Sequence, residues 1–170
     1  MREFSTPATI VVAPEDNLTD MVVRNAVEEP DRPVFAVRRD AGWTDVTARE
    51  FLDQVVGVAK GLIASGIEPG DRVALVSRTR FEWTLVDFAI WFAGAVSVPI
   101  YETSSAEQVA WILSDSGARG VVAEGADHLA RVREARPALT DLEHVWSLAD
   151  NAVDVLTALE QSRLNERGAT

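Results

Sequence analysis

The sequence predicts an α/β protein: a mostly parallel sheet with helices on both faces, preceded by a small hairpin. Two observations carry that class. The runs VALVS (73–77), VSVPI (96–100) and GVVA (120–123) are short and apolar almost throughout, as strands buried on both faces are. Stretches with apolar residues at helical spacing lie between them, and a strand joined to the next through a helix is the connection that parallel pairing requires. There is no cysteine, so the core has to hold by packing, without disulfides or thiolate metal sites.

Taken in order, residues 1–16, with Pro7 and Pro14, read as an extended arm. Asn17 followed by Asp20 starts a helix whose apolar positions include Leu18, Met21, Val22 and Val23, and which ends near Glu28 ahead of Pro30 and Pro33. Residues 34–37 form a strand, 40–42 a turn and 43–46 the returning strand. Thr47 with Glu50 is a capping-box pattern, and Phe51, Leu52, Val55, Val58, Ala59 and Leu62 recur at helical spacing up to Gly66. The turn IEPGD (67–71) feeds the strand 73–77. A helix over about 80–93 stops at Gly94, and the strand 96–100 reads as buried. A second capping-box pattern, Ser104 with Glu107, opens a helix over about 105–115. A strand at 120–123, a helix over about 126–136 and a strand at 143–147 complete a subdomain spanning 17–150. Val153, Leu156, Leu159 and Leu164 then mark a helical tail within 151–170.

Two helices place an indole on a polar stripe. Arg80, Thr84 and Asp87 lead to Trp91, and Glu107 and Ser114 bracket Trp111. Either a loop or the arm covers these rings, or they belong to a surface that further protein covers.

Composition excludes several functions. The formal charge of −11 opposes binding to nucleic acid and gives no attraction to anionic lipid, so membrane association is at most peripheral. The longest apolar stretch, 88–101, is shorter than the ~20 residues needed to span a bilayer and is broken by Gly94 and Pro99. With no signal-peptide pattern at the start, the expected compartment is the cytoplasm. His128 and His144 have no carboxylate at metal-ligand spacing, and no metal site is expected. The chain contains no G-x-S-x-G elbow, no G-x-G-x-x-G after a strand and no G-x-x-x-x-G-K-[ST]. Its one lysine, Lys60, falls inside a helix and reads as a solvated surface residue. No catalytic residue is assigned. An independent Rossmann-like nucleotide binder is disfavoured by the missing glycine loop.

The turn 101–105, YETSS, stands at the carboxyl end of a strand, where ligands gather in open α/β sheets. Its hydroxyls either only cap the following helix, or they border a ligand cleft, with Tyr101, Thr103 and Ser104 as candidate substrate contacts.

The run 66–124, with VPIYETSS followed by EQVAWIL, resembles the amino-terminal part of the adenylate-forming (AMP-binding) ligases, and within them the bacterial long-chain fatty-acid–CoA ligases. WTDVTAREFLDQV (43–55) is similar to an early segment of the same family. The resemblance implies the amino-terminal subdomain of the acyl-CoA synthetase (ANL) fold. It implies a two-step reaction in which a fatty-acid carboxylate attacks the α-phosphorus of MgATP and coenzyme A then displaces AMP. The family's Ser/Thr/Gly-rich phosphate loop, its Tyr-x-x-Thr-Glu segment, its ribose-binding Asp and its lid lysine have no counterpart in residues 1–170. A fragment inactive by itself is therefore expected, with ATP, Mg and CoA used by the whole enzyme and none bound tightly here. Its partners would be the remainder of the same polypeptide and a fatty acid, and the arm is compatible with a homodimer. Arginines that follow the family's match to VVAEG lie near the 3′-phosphate of CoA, which makes Arg131 and Arg133 candidate CoA contacts. The rival reading is a stand-alone interaction or regulatory module derived from this subdomain.

Overall fold

The computed structural model describes residues 4–7, 13–39, 42–149, 153–154 and 156–157. The order of elements is α1 (Leu18–Glu28), β1 (Pro33–Arg39), β2 (Gly42–Thr47), α2 (Ala48–Ala64), β3 (Arg72–Val76), α3 (Phe81–Phe92), β4 (Val96–Ile100), α4 (Ala106–Ser116), β5 (Gly120–Ala123), α5 (Ala126–Ala135) and β6 (His144–Ser147). β1 and β2 pair antiparallel, and the other four strands form a parallel sheet in the order β4-β3-β5-β6. The α/β class, the parallel sheet and the preceding hairpin are as the sequence predicts. Residues 8–12 of the arm, the hairpin turn at 40–41 and most of the tail after 150 lie outside the described residues.

The pleat divides the core. Val73 and Leu75 of β3 join a cluster with residues of α2, α3, α1 and the hairpin, while Ala74 and Val76 join one with α4 and α5. Each face of the sheet is thus covered by its own helix layer. α1, α2 and α4 start where side chains satisfy free N–H groups, whereas α3 and α5 have no side-chain cap. Asn17 with Asp20 caps α1, and Thr47 with Glu50 caps α2 through reciprocal side-chain to backbone bonds.

The second capping box falls one residue later than expected, on Ser105 and Gln108. Ser104 is already committed: its N–H donates to the Tyr101 carbonyl at 3.0 Å and its own carbonyl accepts from Arg131 at 2.9 Å. Its backbone therefore belongs to the turn, and the Gln108 N–H donates to the Ser105 hydroxyl at 3.2 Å.

β4 is not a buried strand but an edge of the sheet, with Val96 48% exposed and Pro99 exposed. Pro99 is consistent with that place, since a proline has no backbone N–H to donate and is tolerated where one side of the strand has no neighbour. The polar stripe read on α3 is likewise not a solvent face. Asp87 is buried at 7% exposure, and Trp91 is half-buried, edge-on to Phe88 at 5.1 Å. The helix is apolar nearly all round because α2 and the edge of the sheet cover it. Trp111, in contrast, is 65% exposed, as the stripe on α4 predicts.

The amino ends of the strands are tied by arginine. Arg72 donates from Nε to the Ser116 carbonyl at 2.7 Å and from Nη2 to the Gly117 carbonyl at 2.6 Å, placing a cation on the last carbonyls of α4. Gly117 ends that helix at φ 59°, a left-handed position natural to glycine. Arg119 bridges Asp71 and Glu143. Gly57 and Gly61 of α2 admit the segment around Leu156 and Thr157 so closely that a Cβ on Gly61 would lie 2.0 Å from the Leu156 carbonyl oxygen.

Candidate functional site

The carboxyl end of the sheet gathers the polar groups. β3 leads through α3 to β4 on one side, and β5 leads through α5 to β6 on the other. The loops after β3 and β5 therefore diverge, leaving the crevice in which α/β sheets bind ligands.

On one side of this crevice, Ser77, Arg78 and Arg80 follow β3, and Glu124 follows β5. Glu124 is 7% exposed and has its carboxylate almost fully engaged. Arg78 donates Nη2 to Oε1 at 2.7 Å and its backbone N–H to Oε2 at 2.9 Å; Arg80 Nη1 stands 3.7 Å from Oε1. Hydrogen bonds from the Arg78 side chain, aided by its backbone N–H and the two positive charges, pull the Glu124 carboxyl down to about 2 against the opposing effect of burial. Two guanidinium groups are thereby held in place over one buried carboxylate. Arg80 also donates Nε to Glu82 at 2.6 Å.

On the other side lies the turn after β4. Tyr101 is 84% exposed, Thr103 is exposed and Ser104 half-buried. Arg131 reaches from α5 to this turn, where Nη1 donates to the carbonyls of Glu102 at 2.5 Å and Ser104 at 2.9 Å. The structure thus brings Tyr101, Thr103, Ser104 and Arg131 to one place. Arg133 is exposed on α5, and two helical residues correspond to about 200° of rotation, so it belongs to a different face of the helix from Arg131. An open cleft of about 660 Å³ runs beside the turn, lined by Tyr101, Ser104, Glu107, Gln108, Trp111 and Ile112. Its Tyr and Trp rings with a few polar groups can hold a ligand that is largely apolar.

Sequence reasoning missed the Arg78–Glu124–Arg80 cluster. The available signal was the pair of arginines in SRTR directly after one apolar strand and the glutamate directly after another. It also missed a partly buried pair at the edge of the sheet, in which the Ser97 hydroxyl donates to Asp87. Burial pushes the Asp87 carboxyl up, with the Ser97 bond partly opposing it. Among the described residues, no three His, Cys, Asp or Glu side chains gather so as to hold a metal ion.

A parallel sheet in this order, with helices on both faces and its polar groups where the loops diverge, defines an open α/β fold. Residues 22–169 match the family model of the AMP-binding enzymes, and the chain belongs to that family. It is 45% identical over 160 residues to the long-chain-fatty-acid–CoA ligase FadD15 of Mycobacterium bovis, an alignment covering 92% of this chain and 27% of that protein. An uncharacterized protein of Mycobacterium tuberculosis, Rv1549, is 33% identical over 122 residues, which is 72% of this chain and 66% of that one. Among solved structures, a long-chain-fatty-acid–CoA ligase of Archaeoglobus fulgidus superposes with a TM-score of 0.75 at 16% identity, over 90% of this chain and 32% of that one; it shares the fold. The N-terminal domain of FACL13 from Mycobacterium tuberculosis gives 0.71 at 26% identity, over 86% and 35%. The chain thus spans about a quarter of the length of the FadD15 relatives it matches.

Proposed function

We propose that this chain is the amino-terminal part of a long-chain fatty-acid–CoA ligase, and that it is inactive by itself. In the whole protein the reaction would join a fatty acid to coenzyme A at the expense of ATP, by way of an acyl-adenylate, with release of pyrophosphate and then AMP. The observation that carries the reading is the 45% identity to a FadD15 ligase, which extends over 92% of the chain.

The described residues do not fit a magnesium–ATP site. They contain no cluster of metal-ligand side chains, and the one lysine lies within α2. Phosphoryl transfer needs such groups to neutralise charge on the moving phosphoryl oxygens. The phosphoryl chemistry therefore falls to other residues of the whole protein. Their contribution is a scaffold, together with one wall of a substrate path: Tyr101, Thr103 and Ser104 in the turn after β4 beside an acyl or CoA channel, Arg131 holding that turn in shape, and Arg133 free to meet a CoA phosphate. The subdomain spans 17–150, with the arm before it and the tail leading to the rest of the polypeptide. The compartment is the cytoplasm, with at most peripheral contact with a membrane; no described helix is long and apolar enough to cross one.

The test is a chimera. Residues 1–170 are exchanged for the matching quarter of a FadD15 ligase, and acyl-CoA formation from palmitate, ATP and CoA is measured for the chimera and for the chain alone. Activity in the chimera with none in the chain supports the proposal. Activity in the chain alone, or a folded chimera that binds ATP yet forms no acyl-CoA, would overturn it.

A further inference from the structure

A second cavity lies away from the carboxyl end of the sheet, between α1, the hairpin, α2 and α3. Its volume is about 190 Å³. Met21, Val22 and Asn25 come from α1 and Val34 and Phe35 from β1, while Ala48, Phe51 and Phe88 supply the helical walls. An apolar cavity of about 150 Å³ holds benzene, so this one has room for roughly seven or eight heavy atoms.

Two features narrow the ligand further. The wall is aromatic: Phe35 and Phe51 have ring centres 4.8 Å apart, and Phe51 and Phe88 meet edge-on at 5.8 Å and 84°. A further ring can extend that edge-to-face network. The only polar lining side chain is Asn25, which is half-buried, and its amide has no hydrogen-bond partner among the described residues. An amide in that position can donate to or accept from one hydroxyl. No lining side chain is charged, so an ionised head group turned into the wall would lose water without gaining a charged partner.

We propose that this cavity is a binding site for a small uncharged aromatic alcohol of the alkylphenol class, its ring against Phe35, Phe51 and Phe88 and its hydroxyl on Asn25. The absence of a charged partner separates the site from any carboxylate substrate.

The probe is p-cresol, titrated into the 170-residue chain while methyl resonances are followed by NMR. Saturable shifts at Met21, Val22 and Val34 are expected, with a dissociation constant on the order of 0.1–1 mM, the range open to about eight heavy atoms. 4-Methylbenzoate, with a charged head, is expected to bind at least about tenfold more weakly. Filling the cavity by Ala48→Leu, or by the milder Val34→Leu if the first does not fold, should weaken p-cresol by about tenfold or more. Asn25→Leu should weaken p-cresol about fivefold and leave toluene unchanged, as loss of one hydrogen bond requires. Lack of saturable shifts at 10 mM p-cresol, equal binding of 4-methylbenzoate, or undiminished binding in the folded cavity-filling variants would overturn the proposal. An equal loss of p-cresol and toluene in Asn25→Leu would overturn the role of Asn25 and with it the alcohol assignment.

Discussion

The Glu124 cluster joins the ends of two strands, and replacing Glu124 by glutamine removes its charge while keeping its shape. Between an ordinary 4.5 and the folded value of about 2 lies a gap equivalent to roughly 3.4 kcal/mol, at about 1.36 kcal/mol per pH unit. The Arg78 side chain is 70% exposed, so solvent screens the pair and about 2 kcal/mol is expected in practice. Because folding depresses this carboxyl, its contribution is complete above pH 4.5 and is lost as pH falls towards 2. Glu124→Gln should therefore cost about 2 kcal/mol at pH 7 and only about 0.4 kcal/mol near pH 2, where half of the wild-type carboxyls are already protonated. Urea denaturation of both proteins at pH 7, 5, 3 and 2, followed by far-UV circular dichroism, measures the difference, and other carboxylates that titrate in this range cancel between them. A cost that is the same at every pH, or that is below about 0.5 kcal/mol at pH 7, would refute the account of the cluster.

Three further outcomes follow from other contacts. Asp87→Asn should raise the midpoint of thermal unfolding at pH 7 relative to wild type and lose that advantage at low pH, because burial raises the Asp87 carboxyl and its ionisation opposes folding as pH rises; differential scanning calorimetry at the two pH values reads it. Gly61→Ala should destabilise by about 2 kcal/mol despite alanine's better helix propensity of roughly 1 kcal/mol, since the new Cβ would meet the Leu156 carbonyl oxygen at 2.0 Å. Combination with Leu156→Ala should be less than additive in a denaturation cycle. Arg131→Met frees the carbonyls of Glu102 and Ser104 and should cost about 1–2 kcal/mol, with faster amide hydrogen exchange confined to residues 101–105.

Much of the fold was legible because its signals are local. Asn17 with Asp20 and Thr47 with Glu50 announce α1 and α2 within four residues, and both boxes form. The strands at 96–100 and 120–123 begin and end where their apolar runs do. The same local logic misplaced the cap of α4, because Ser104 and Ser105 both carry a hydroxyl, and Ser104 is held in the turn by its bond to Tyr101 and by Arg131, 27 residues away. It misjudged α3 as well. Asp87 has the spacing of a solvent-facing residue, yet it lies against the edge of the sheet, where Ser97 supplies its hydrogen bond.

The candidate site divides in the same way. The turn 101–105 was found from its position after a strand, a relation carried by the chain itself. Arg78 and Glu124 stand 46 residues apart, and no periodicity links them. They meet because β5 pairs with β3 instead of β4. The amino-acid sequence by itself determined the strands, the helices, most of their caps and the family. The tertiary structure alone decided that β4 is an edge, that Arg131 shapes the turn, and that one buried carboxylate holds two arginines. Helix and strand signals repeat every few residues, whereas partners brought together by a crossover leave no mark on the residues between them.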